Sequence, residues 1–88
     1  MFLLIITYAI RMLMNMAVAE TLKTLRMQKG ISQEKLANAI DSHQVYISEI
    51  EKGKKMPSLT ILYNIAKFFE MSLTELVSQI ENNYNKLN

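Results

Sequence analysis

From residue 18 onward the apolar residues recur at helical spacing, and the chain's few breakers fall between the runs. The whole sequence has two glycines and one proline. Val18, Leu22 and Leu25 stand at i, i+4, i+7, one face of a helix, and the spacing predicts a helix over about 17–29 that stops at Gly30. Ser32 offers an oxygen to cap the next helix, which carries Leu36, Ala37 and Ile40. Asp41-Ser42 interrupts it. Val45, Ile47 and Ile50 mark a third, short helix that ends at Gly53. Lys54 and Lys55 lead to Pro57, and Ser58 caps a fourth helix burying Leu62, Ile65, Ala66 and Phe69. Ser72-Leu73-Thr74-Glu75 is a capping box, and Leu73, Leu76, Val77 and Ile80 form the apolar face of the helix it opens. The polar tail after Ile80 is expected to fray. Five short helices with connections of a few residues define an all-α body with no strand signal.

Residues 1–19 differ in kind: sixteen of nineteen are apolar and Arg11 is the one charge. As a membrane span, the larger apolar side chains contribute about −2.4 to −4.8 kcal/mol, and Arg11 costs about +2.5 to +3.5, with Asn15 adding to the cost. Insertion is balanced near zero. As an export signal, Ala17-Val18-Ala19 suits cleavage, but no basic residue precedes the apolar run and Arg11 interrupts it. As a structural element, Phe2–Tyr8 fits a strand or the opening of a long helix, covered by the domain or by another subunit. A start at Met12, Met14 or Met16 is a further alternative. The expected organisation is an apolar extension over 1–16, which is a candidate dimer arm, a helical domain over 17–81 and a tail over 82–88.

Composition excludes much chemistry. At 88 residues there is room for one domain. Without cysteine there are no disulfides, thiolate metal sites or cysteine nucleophiles, and a single histidine leaves no multi-histidine site. No phosphate-binding glycine loop, carboxylate pair or nucleophilic triad is present, so no enzymatic activity, cofactor or metal is expected. The net charge of +2 and pI near 9.0 are compatible with a polyanionic partner.

Residues 33–52, QEKLANAIDSHQVYISEIEK, have the layout of a helix-turn-helix. Ala37 supplies the small residue where two helices cross, and Leu36, Ile40, Ile47 and Ile50 fill the wedge between them. With LKTLRMQKGISQEKLA before, and YISEIEKGKKMPSLTIL and IAKFFEMSLTEL after, residues 20–80 resemble the Cro/CI-repressor (Xre-type) helix-turn-helix family. Tyr46-Ile47-Ser48 with Glu51-Lys52-Gly53 also resembles the controller proteins of restriction-modification systems. Two positions depart from the family. Asp41 stands where glycine usually supplies a positive φ. Ser42 stands where a buried Val or Ile is usual, and it is a candidate cap for the third helix.

The resemblance implies a lambda-repressor-like fold and a sequence-specific transcription regulator. It would bind double-stranded DNA as a homodimer on a palindromic operator, in the cytoplasm, with no membrane partner. The alternative of the same fold is an antitoxin-type module that binds a toxin or another protein. The second helix of the motif is expected in the major groove. With Ile47 and Ile50 in the core, the base-reading candidates are Gln44 for adenine, Val45 for a thymine methyl, Ser48, and Glu49 for a cytosine amino group. The phosphate-binding candidates are Gln33 at the start of the second helix, His43 when protonated, the Tyr46 hydroxyl, and Lys54 and Lys55 after the reading helix. The resemblance also implies an ion pair between Arg26 and Glu51, each one residue past a core position and so at the edge of the buried face. Helix 5, with Ile61 and Phe68, is the usual dimer surface.

Overall fold

The computed structural model describes residues 1–87, which form five helices: α1 (Phe2–Lys29), α2 (Gln33–Ala39), α3 (Gln44–Glu51), α4 (Leu59–Phe68) and α5 (Leu73–Leu87). The starts of α2, α4 and α5 follow from serine chemistry. Ser32 Oγ accepts from Lys35 N–H at 3.0 Å and Ser58 Oγ from Ile61 N–H at 3.1 Å. Ser72 and Glu75 satisfy each other's N–H groups at 2.9 and 3.0 Å.

The first four helices end in one way. Each is followed by a left-handed residue: Gly30 (φ 71°), Asp41 (56°), Gly53 (75°) and Glu70 (58°). At each end the left-handed residue donates to the carbonyl three back and its successor to the carbonyl five back, as in Ser42 N–H to Ala37 O at 2.8 Å and Met71 N–H to Ala66 O at 3.0 Å. This closure satisfies carbonyls that the helix leaves free. Asp41 thus fills the glycine role expected at the turn. Glu70 does the same with no signal in its residue type.

Leu36, Ala37, Ile47 and Ile50 are fully buried where α2 crosses α3, and Val18, Leu22, Ile65, Ala66, Leu76 and Ile80 complete one core. A side chain larger than Ala37's methyl would separate the two helices.

Four expectations change. The first helix does not begin near residue 17: α1 is one 28-residue helix from Phe2. Nothing in Phe2–Lys29 breaks it, and Thr7, β-branched and polar, returns its hydroxyl to Leu3 O at 2.9 Å. The tail does not fray after Ile80, since α5 continues to Leu87. Asn83 Nδ2 donates to Thr21 Oγ1 at 2.7 Å and Tyr84 packs on the core, tying the last turns to α1; Asn88 lies outside the described residues. Ser42 does not cap α3. His43 occupies the cap position, without a side-chain bond, because the Asp41 turn commits Ser42 to closing α2. Finally, Val77 is exposed, whereas Ile61 and Phe68 are half-buried. Phe68 sits edge-on to Phe69 at 5.1 Å with the Lys29 ammonium 5.2 Å above its ring.

Candidate nucleic-acid interface

Ile47 and Ile50 fix the roll of α3 by occupying the core. Gln44 and Val45 are therefore exposed at its first turn, with Ser48 and Glu49 half-buried one turn on. His43 is exposed beside them, while Tyr46 is half-buried against the core. Lys54 and Lys55 are exposed in the loop that follows. Lys55 Nζ lies 4.0 Å from Glu49 Oε1, a loose pair at the surface.

Behind this surface runs a chain of polar contacts. Arg26 grips Glu51 with two hydrogen bonds, Nε to Oε2 at 2.7 Å and Nη2 to Oε1 at 3.0 Å, and spends Nη1 on Ile31 O at 2.8 Å. Glu51 Oε1 also accepts from Gln33 Nε2 at 3.0 Å. Gln33 Oε1 then accepts from Gln44 Nε2 at 2.6 Å. Four side chains thus connect the end of α1, the start of α2 and both ends of α3. The Glu51 side chain is 2% exposed and Arg26's 15%, deeper than the partly exposed edge expected from the sequence. The hydrogen bond to Glu51 raises the Arg26 pKa above its ordinary value; burial opposes this and the Glu51 charge adds to it. A buried carboxylate and a half-buried guanidinium that satisfy each other in this way hold a geometry more than they add stability.

The donor count leaves room for a ligand. An amide NH2 has two hydrogens. Gln33 gives one to Glu51 and keeps one. Gln44 gives one to Gln33 and keeps one N–H together with its Oε1, which is the pair that an adenine edge requires. Sequence reasoning missed both glutamine contacts. They join residues 11 and 18 apart, and no local spacing signals them.

The site and fold define a helix-turn-helix protein, and comparison with known proteins agrees. The Helix-turn-helix (HTH_3) family model matches residues 22–76, and the chain belongs to this Xre/Cro-CI-like family of DNA-binding transcription regulators. Among its relatives, control protein C.MunI of Mycoplasma sp is 44% identical over 61 residues, covering 68% of this chain and 82% of that one. The cryptic phage CTXphi transcriptional repressor RstR of Vibrio cholerae is 32% identical over 65 residues, covering 74% and 59%. Among solved structures, the restriction-modification controller protein C.Esp1396I, a tetramer in complex with its natural 35 base-pair operator, superposes with a TM-score of 0.71 at 27% identity, covering 81% of this chain and 93% of that one. The family match leaves residues 1–21 outside it.

Proposed function

We propose that this protein is a sequence-specific, double-stranded-DNA-binding transcription regulator that acts in the cytoplasm as a homodimer on a palindromic operator. Gln44, Val45, Ser48 and Glu49 read bases. Gln33, His43, Tyr46, Lys54 and Lys55 meet phosphates. The observation that carries the reading is the bond between Gln33 and Gln44 on the Glu51–Arg26 anchor. It holds an amide at the first turn of the exposed helix with its base-reading atoms free, and preorganisation of this kind lowers the entropic cost of a specific contact. The relatives named above, one of them solved on its operator, support the same reading.

Glu49 and Lys55 fit it as a pair. A carboxylate near phosphates is unfavourable alone, and the neighbouring ammonium offsets its charge until Lys55 swings to the backbone. Selection of bound sites from random duplex DNA tests the proposal. A two-fold symmetric motif is expected, with half-sites about 34–36 Å apart or a multiple of that spacing. A salt titration on the selected site is expected to give a slope of about −0.9 per phosphate neutralised. Failure to enrich any motif, with equal affinity for all sequences, would overturn sequence-specific reading.

A further inference from the structure

We infer that the first four turns of α1 are a contact surface for a second copy of this chain. This rests on the homodimeric part of the reading above and names the surface that part leaves open. Phe2, Leu3, Leu4, Ile5 and Tyr8 are each more than 60% exposed, and Ile10, Met12 and Met16 are also exposed. The only polar side chains on this stretch apart from the Tyr8 hydroxyl are Thr7, Arg11 and Asn15, at i, i+4 and i+8 along one seam. That seam turns toward the loop after α3. Asn15 Nδ2 donates to Gly53 O at 3.3 Å, and Tyr8, Arg11 and Met12 lie around the same glycine. The rest of the circumference is apolar, and a helix of this kind is stable only when covered.

The exposed area is of the size that a second copy would cover. A compact 10.2 kDa chain is expected to expose about 5,300 Å². This one exposes 5930 Å². The surplus, about 600 Å² per chain, is about 1,200 Å² for two copies, which reaches the range of specific interfaces. A bilayer fits less well. Phe2–Met16 is about 22 Å of helix against a hydrocarbon core of about 30 Å. Lengthening the span would extract Ala17, Val18 and Ala19, which are buried in the core, and Arg11 would lie inside it. A second copy asks for neither. It also has a seat: beside the arm, Met14 borders a groove with Val77, Ile80 and Tyr84 of α5. Met14 belongs to both the arm and the groove, and a two-fold contact needs a patch that can face itself.

Sedimentation velocity on the full chain tests this, with Ile5→Asp and Ile10→Asp as exposed single variants and Val77→Asp as a comparator in the groove. The full chain is expected to be a dimer at micromolar concentration. Ile5→Asp and Ile10→Asp are each expected to weaken the dimer 100-fold or more, and to remove the rise of melting temperature with protein concentration that the full chain shows. A dimer that survives both arm variants and yields only to Val77→Asp overturns the arm and leaves the homodimer standing. A full chain that stays monomeric at tens of micromolar overturns the homodimer and the arm together. Flotation on phosphatidylcholine–phosphatidylglycerol vesicles, lost in Ile5→Asp, overturns the second copy in favour of a lipid surface.

Discussion

Arg26 and Glu51, 25 residues apart in sequence, meet through two hydrogen bonds of 2.7 and 3.0 Å in a setting where the carboxylate is almost wholly removed from water. The pair couples the first helix to the end of the exposed one. Removing one partner leaves the other charge uncompensated, so Arg26→Ala is expected to destabilise the fold by about 3–5 kcal/mol. Arg26→Lys keeps the charge but not the fork, and is expected to recover only part of the loss. Urea unfolding of the three proteins measures both effects. A cost below about 1 kcal/mol for Arg26→Ala would show that the carboxylate finds other solvation when the arginine goes.

The bond between Gln33 and Gln44 makes these residues act as a unit on DNA. Gln44→Ala is expected to cost about 1–3 kcal/mol on the selected site and to relax preference at one base pair. Gln33→Ala is expected to relax the same base pair, because it frees the Gln44 amide to rotate. The double variant is therefore expected to lose less than the sum of the two. Lys54→Ala serves as the contrast, weakening every sequence alike and flattening the salt slope by about one unit. Binding titrations on cognate and scrambled duplexes separate these behaviours. Strict additivity of Gln33→Ala and Gln44→Ala would dissolve the unit.

What was legible in the sequence was what local chemistry determines. Ser32, Ser58 and the Ser72–Glu75 box mark helix starts because a cap is made within three residues. Leu36, Ala37, Ile47 and Ile50 were readable as core from their spacing. The run Phe2–Tyr8 was not readable on its own, since its single polar side chain, Thr7, sets no period within seven residues; the helical period emerges only when Thr7 is taken with Arg11 and Asn15. The last turns of α5 hold through Asn83 and Thr21, 62 residues apart, and no local pattern signals such a contact. The resemblance implied Arg26 and Glu51 as partners, yet the depth of their burial and the two glutamines joined to them emerge only when three helices are brought together.

Asp41 and Glu70 occupy the same left-handed position, at φ 56° and 58°, but with different side chains. Aspartate is enriched at positive φ, whereas glutamate has no such compensation. Glu70→Gly is therefore expected to stabilise the protein by about 0.5–1 kcal/mol, after the added freedom of the unfolded chain is deducted. Asp41→Gly is expected to gain less. Denaturant midpoints for the two variants, with unchanged slopes, check the order. A larger gain at Asp41 would contradict the assignment of strain.

Glu75 connects helix capping to pH. Its carboxylate accepts the Ser72 backbone N–H at 2.9 Å while Ser72 Oγ accepts the Glu75 N–H at 3.0 Å. The backbone hydrogen bond first, and the side-chain bond second, lower its pKa from the ordinary glutamate value; desolvation opposes them. The folded state therefore binds this proton less readily than the unfolded state. The associated stability is fully present above the ordinary glutamate pKa and is lost as pH falls through the lowered folded value. Glu75→Gln keeps an acceptor for the Ser72 N–H but cannot titrate, and it gives up the favourable charge at the start of α5. The parent protein is thus expected to melt above Glu75→Gln at neutral pH, with the difference shrinking only in the acid range. Melting followed by circular dichroism across that range measures it. Parallel curves, with a constant gap down to the lowest pH, would remove the carboxylate's ionisation from the stability of α5.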